Sequence, residues 1–382
     1  MRSPINRFSA DLGGKPIMSR ADIRGMRVLS IVGARPQFVK LAPLHHEISR
    51  GHQHLILHTG QHYDQQMNDS FFSLLEIPDP DFNLGVGSGS HGQQTGRMMM
   101  EMEAIVQEVD PDIVMLYGDT NSTVAGALVA AKLCLPIAHV EAGPRLHERC
   151  NPEEINRKMT DHLSSLLFCS SDVSRVNLAK EGIVDGVHVT GDLMVQILHE
   201  VEGRLDMEPL ERFSLTEGEY ILCTLHRAEN VDDPDRLREI LSALAELPRK
   251  TLLPMHPRTR KAVEEFGLGS IIDSAESLHV CEPLDYLSFL SLNRHASLVI
   301  TDSGGLQKEA YVFNTPCITI FPRTAWVETV DEGWNRLVPA DKEAILDAVR
   351  KTEIPKEYLA SYGGDGVAAR MVELCEELLA KK

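Results

Sequence analysis

Short apolar runs that each stop at a polar loop, glycine-containing throughout the first half, recur along the whole chain, and no other feature narrows the fold as far. MRVLSIV (Met26 to Val32) stops at GARPQFVK, Leu55 to His58 at TGQHYD, Ile113 to Tyr117 at GDTNST, and Ile137 to Val140 at EAGPR. Helix-length segments lie between them at Phe38 to Arg50, Gln94 to Val109 and Ser122 to Leu133, the last rich in small residues suited to close packing on a sheet. Such alternation predicts a parallel sheet covered on both faces, with ligands gathering at the carboxyl ends of its strands. After a charged, helix-like stretch from Leu193 to Leu215 the pattern restarts. Tyr220 to Leu225 ends in HRAENVDD, Thr251 to Met255 in HPRTRK, Leu278 to Cys281 in EPLDY, Leu298 to Thr301 in DSGG and Cys317 to Ile320 in FPRTAW. A helix is predicted from the turn residues at Asn230 to Arg236 up to about Leu247, and Glu343 to Leu379 reads as helix interrupted near SYGGD.

A chain of 382 residues exceeds one ordinary core. The expected division is an N-terminal extension over 1–25, a Rossmann-like domain over 26–195, a second over 196–360, and a C-terminal helix over 361–382 that packs back on the first half. A net charge of −18 argues against a nucleic-acid groove or an anionic membrane surface as partner, so any phosphate site must be built locally. No run approaches a membrane span. Seven scattered cysteines without a CxxC pair predict reduced thiols and a cytoplasmic protein.

The stretch LVITDSGGLQKEA, Leu298 to Ala310, reads as strand, tight turn and helix N-terminus. It is either an ordinary capped helix start or a phosphate seat. In the second reading Gly304 and Gly305 let backbone N–H groups approach an anion, Ser303 adds a hydroxyl, and Glu309 one turn on accepts from a ribose. Four strand ends of the first half carry ionisable groups: Arg35 and Lys40 at the first, then Asp119, Glu141, and Glu153 with Arg157 in NPEEINR. Alone, each has a dull explanation as cap or solvated charge; together, acids at consecutive strand ends converge on one crevice, where crowding and burial allow an acid and a base to coexist. His226, directly after a strand, is the best-placed histidine. HExxH and Cys/His spacings are absent, so no metal is expected; GxGxxG, GxxxxGK[ST] and GxSxG are absent too, which argues against nicotinamide, a P-loop and acyl-enzyme chemistry.

Assembled, these stretches closely resemble the non-hydrolysing UDP-N-acetylglucosamine 2-epimerases, including relatives acting on UDP-2,3-diacetamido-2,3-dideoxyglucuronic acid. GARPQFVK, HTGQHYD, YGDTNST, HVEAG, NPEEINR, TLHRAEN, HPRT, TDSGGLQKEA and WVETVDEGWN appear in the family's order over about Met26 to Arg350. The resemblance implies the GT-B fold, two Rossmann-like domains with the active site in the cleft between them, a UDP-sugar substrate, a homodimer and no cofactor. Matched residue by residue, it gives Ser303, Gly304, Gly305 and Glu309 to the diphosphate and ribose, puts Arg35 and Lys40 near the diphosphate, assigns catalysis to Asp119, Glu141, Glu153 and His226, and makes Arg157 a substrate arginine. Gln61, His62 and His256 match part of a region where some members bind an activating second UDP-GlcNAc, although Gln93 stands where those members have arginine. Pro144, Cys150 and Asn151 also depart from the family pattern in the loop before Glu153. A hydrolysing epimerase, a GT-B glycosyltransferase and a non-catalytic UDP-sugar sensor are the competing readings.

Overall fold

In a computed structural model, residues 25–61 and 75–381 are described; for Arg35 only the backbone is. They form two compact units, one built from the chain up to Ile197 and from Tyr362 onward, the other Leu198–Ser361. The first holds a seven-stranded sheet. Its strands are β1 (Arg27–Val32), β2 (Gln53–His58), β3 (Phe82–Asn83), β4 (Ile113–Tyr117), β5 (Ile137–Val140), β6 (Leu166–Cys169) and β7 (Val187–Val189). All pair in parallel, in the order 3-2-1-4-5-6-7. The second unit has β8 (Tyr220–Thr224), β9 (Lys250–Pro254), β10 (Leu278–Cys281), β11 (Leu298–Thr301), β12 (Cys317–Ile320) and β13 (Asn335–Val338). Their order, 10-9-8-11-12-13, repeats the first pattern and is again fully parallel. Both units are thus Rossmann-like, as GT-B proteins are, and each sheet reverses direction of winding once, between β1 and β4 and between β8 and β11.

The strands are apolar because both faces are covered: every residue of β4, β5, β11 and β12 is buried. In the helix Asn121–Lys132 the small residues let the backbone approach the sheet. Gly126 lies so close that a Cβ there would stand 2.7 Å from Leu116 and 2.9 Å from Ile31. The C-terminal helix Val367–Ala380 packs on the helix Arg35–Ile48, burying Met371, Val372, Leu374 and Cys375.

Several elements lie outside the sequence expectations. β3 has two residues and β7 is a short, half-exposed edge, too little for a periodic signal. LLFC of β6 is an apolar run followed by SSD, a signal that was there to be read. The stretch Leu193 to Leu215 divides into helices Leu193–Glu202 and Glu208–Arg212. No helix among the described residues is long and apolar enough to cross a membrane.

Candidate functional site

In the second unit the two strands flanking the reversal, β8 and β11, end side by side, with the hydroxyls of Thr224 and Thr301 hydrogen-bonded at 2.7 Å. Asp302 follows β11 and is fully buried. Its carboxylate accepts from the backbone N–H groups of His226 (3.1 Å) and Arg227 (3.0 Å) and from the side-chain amide of Asn230 (3.3 Å). The His226 ring turns Nδ1 towards it at 3.1 Å and is itself 46% exposed. Burial alone would raise the Asp302 carboxyl; hydrogen bonds and charge from His226, with the Arg227 and Asn230 donors, hold it below the usual carboxylate range.

Ser303 caps the helix Gly304–Val312 in extended backbone, without using its hydroxyl as the capping acceptor. A helix start leaves its first N–H groups without intrahelical partners, and the dipole favours an anion there. Gly305 is exposed, with open space around the position of a Cβ. A Cβ on Gly304 would stand 3.9 Å from Nη2 of Arg227, whose guanidinium stacks 4.4 Å over the ring of Phe321. Glu309, one turn on, is buried, and the hydroxyl of Tyr286 donates to it at 3.4 Å.

In the first unit the ends of β1, β4 and β5 carry the polar groups. Gln37 ties two of these ends together: Oε1 accepts from Gly33 (2.7 Å) and Ala34 (3.0 Å), and Nε2 donates to the Tyr117 carbonyl at 2.7 Å. Lys40 donates to Glu141 at 2.8 Å, both side chains largely buried. Glu141 has φ +65°, a left-handed conformation that a glutamate adopts only under constraint, and such strain gathers at functional positions. Asp119 pairs with Arg157. It is not a helix cap; that position is Thr120. Of the Glu153 and Glu154 pair, Glu153 is exposed in the first turn of Pro152–Leu163. Glu154 is buried and accepts from the backbone of Leu146 (2.9 Å) and His147 (3.3 Å), anchoring the preceding loop.

Arg35 begins its helix, and its side chain lies outside the described atoms. His62 lies outside the described residues. The Gln61 side chain accepts from the hydroxyl of Ser122 at 2.7 Å and from its N–H at 3.1 Å. Gln93 is exposed. His256 caps Pro257–Glu265, accepting from Arg258 at 3.2 Å, with its ring 6.5 Å from that of His226. Among the described residues no three His, Cys, Asp or Glu side chains are placed to hold a metal ion.

Sequence reasoning passed over a second set of charges. The Asp161 carboxylate takes His139 Nδ1 on one oxygen and Arg145 on the other, both at 2.7 Å. Arg145 grips Glu181 through two nitrogens at 2.9 and 2.7 Å. His139 Nε2 lies 2.7 Å from the carbonyl of Gly118, the residue before Asp119. Burial would raise Asp161, yet hydrogen bonding and charge from His139 and Arg145 lower it. His139 stands in HVEAG and Asp161 in TDHL, but the pairing of these residues with Arg145 and Glu181 across loops had no sequence signal.

A family model described as UDP-N-acetylglucosamine 2-epimerase matches residues 46–376. A UDP-N-acetylglucosamine 2-epimerase homolog of Methanococcus maripaludis is 45% identical over 358 residues, covering 92% of this chain and 100% of its own. The UDP-2,3-diacetamido-2,3-dideoxy-D-glucuronate 2-epimerase of Pseudomonas aeruginosa is 41% identical over 368 residues, covering 92% and 100%. The crystal structure of Methanocaldococcus jannaschii UDP-GlcNAc 2-epimerase in complex with UDP-GlcNAc and UDP superposes with a TM-score of 0.84 at 38% identity, covering 94% of this chain and 100% of that one. The two parallel sheets, the ordered motifs and these likenesses over nearly the full length agree: the chain belongs to the UDP-N-acetylglucosamine 2-epimerase family.

Proposed function

We propose that the chain interconverts UDP-N-acetylglucosamine and its C2 epimer without hydrolysis, the residues of the second unit holding the nucleotide and those of the first moving protons. The observation that carries the reading is the pairing of a carboxylate with a cation at each of two successive strand ends, Glu141 with Lys40 and Asp119 with Arg157.

The C2 proton of the sugar is not adjacent to a carbonyl, so its direct removal would leave a poorly stabilised carbanion. Breaking the C1–O bond builds positive charge at C1 and acidifies C2–H. The electron pair of C1–O leaves on the diphosphate, held by the N–H groups at Gly304 and Gly305, the Ser303 hydroxyl, His226 and Arg35. The C2–H pair forms the C1–C2 double bond while a carboxylate takes the proton, leaving a 2-acetamidoglucal. Re-addition of UDP with protonation from the opposite face inverts C2. Two faces need two proton-transfer groups, which gives Asp119, Glu141 and Glu153 separate work. Exclusion of water preserves the intermediate. Gln61, His62 and His256 form the candidate region for a second nucleotide-sugar.

A second substrate, UDP-2,3-diacetamido-2,3-dideoxyglucuronic acid, is favoured by the Pseudomonas aeruginosa relative, which matches over its full length. We further propose a cytoplasmic homodimer. All seven cysteines are free thiols, in keeping with a reducing compartment, and the helices His91–Val109 and Pro152–Leu163 expose Met100, Ile155 and Met159.

The test is proton NMR with UDP-GlcNAc in deuterated water. Deuterium entering C2 as the UDP-ManNAc signal grows is the expected result. Free N-acetylmannosamine would establish hydrolysis instead, and turnover of the diacetamido uronate alone would establish the second substrate. Inertness with both sugars would overturn the reading.

A further inference from the structure

The structure assigns Asp302 as the positioning residue for His226: it fixes the proton on Nδ1 and leaves Nε2 as the working nitrogen. A carboxylate only accepts. Its Oδ1 lies 3.1 Å from His226 Nδ1, and a buried negative charge at that distance favours hydrogen, not a lone pair, on the nitrogen that faces it. The backbone reinforces this geometry, because the His226 and Arg227 N–H groups bond to the same carboxylate and fix the base of the ring relative to Asp302. Asn230 donates to Oδ2 (3.3 Å) and is itself held, through the same nitrogen, by the carbonyl of Ile320 at the end of β12 (2.9 Å), so the carboxylate cannot rotate away without giving up two backbone N–H groups and the Asn230 amide. Asp302 is fully buried, whereas the ring is nearly half exposed, so the dyad has one dry end and one end open to a ligand. His226 thus meets the departing diphosphate with Nε2, in a rotamer that needs no rearrangement during turnover.

Replacing Asp302 by asparagine makes the point chemically. The amide oxygen can stay where Oδ2 serves the Arg227 and Asn230 donors, which puts the amide nitrogen opposite Nδ1. Two donors then face each other unless the ring moves its hydrogen to Nε2. Backbone anchoring survives while the tautomer reverses. Where a catalytic histidine depends on a buried aspartate in this way, the asparagine variant loses up to about 10⁴-fold in kcat. The effect on turnover rests on the epimerase reading; the tautomer does not.

The experiment therefore has two arms. Long-range proton–nitrogen correlation spectra of full-length protein labelled with 15N-histidine, with His226 assigned by loss of its signals in His226→Gln, should show hydrogen on Nδ1 in the unmodified protein and on Nε2 in Asp302→Asn. Steady-state kinetics should show Asp302→Asn losing about 10²-fold or more in kcat with KM changed less than about threefold. Hydrogen on Nε2 in the unmodified protein would overturn the assignment, even if the variant failed to fold. So would a folded Asp302→Asn protein with kcat within about threefold of the parent. If the unmodified protein turned over no UDP-sugar while its His226 carried hydrogen on Nδ1, the epimerase reading would fail and the assignment of the tautomer would stand.

Discussion

Acid should loosen the first unit through His54, by an amount the structure sets. His54 Nδ1 lies 3.0 Å from Nδ1 of His45, and its Nε2 lies 2.7 Å from the hydroxyl of Ser30, which continues at 2.8 Å to the hydroxyl of Tyr117. One of two nitrogens sharing a hydrogen bond must be bare, so the pair does not accept two full charges. Burial, with the neighbouring His45, lowers the His54 pKa from 6.5 to about 3; burial, with His46, lowers that of His45 to about 4. The sign follows: below pH 6.5 the unfolded chain binds a proton that the native state refuses, so stability present at neutral pH is lost as the pH falls. For His54 alone, going from pH 7.5 to 5 removes about 2 kcal/mol, nearly independent of the folded value once that lies a unit below the final pH. Both tryptophans, Trp326 and Trp334, belong to the second unit, so their fluorescence would follow the wrong transition. Hydrogen exchange of β1 and β2 amides is the suitable assay: His54 should contribute a factor of about 30 to the rise in their opening constant over that interval, after correction for intrinsic rates, in addition to whatever His45 contributes. In His54→Gln the pH dependence should be weaker than in the parent by about that factor. A variant keeping the parent's full dependence would refute the reasoning.

Three other outcomes are expected. Glu141→Gln and Asp119→Asn should each lower turnover about 10²- to 10⁴-fold, with UDP affinity by calorimetry changed only a few-fold; normal turnover in both would remove the proton-transfer assignment. Ser303→Ala should weaken UDP binding by roughly 1.5–3 kcal/mol, the worth of a hydrogen bond to a charged group, and an unaltered calorimetric affinity would deny its hydroxyl a place at the diphosphate. Of the thiols, Cys134 and Cys150 are exposed, while burial raises Cys169, Cys317 and Cys375 to about 12 and Cys281 to about 11. A disulfide dye should therefore react fast with two thiols in the native protein, and a fast reaction of four or more would contradict the burial.

Apolar runs that stop at polar loops were legible because a strand covered on both faces is apolar throughout and a ligand has to meet backbone at its end. Hence β4, β5, β10, β11 and β12 fall where the residues alone place them. The edge strands β3 and β7 were not legible, since each is held by a neighbour on one side and needs little side-chain burial, although the edge strand β10 was. Within the site, residue types at strand ends were visible and pairings were not. Nothing in GARPQFVK announces that Lys40 meets Glu141, and nothing in TDSGG announces that Asp302 gathers His226, Arg227 and Asn230. Those partners are brought together by the parallel register of β1 with β4, β4 with β5, and β8 with β11, a product of long-range closure rather than of local pattern.

The helix Val367–Ala380 has a consequence for synthesis. It belongs to the first unit and covers the helix Arg35–Ile48, yet it leaves the ribosome after every residue of Leu198–Ser361. Throughout translation of the second unit, the first has all its strands but lacks this cover, and the surface that will receive Met371, Leu374 and Cys375 stays wet. The second unit, contiguous in the chain, can finish folding on the nascent polypeptide. The first is completed only once the last helix has emerged, so chains that stop short of it carry a finished second unit joined to a first that still presents an apolar face to chaperones.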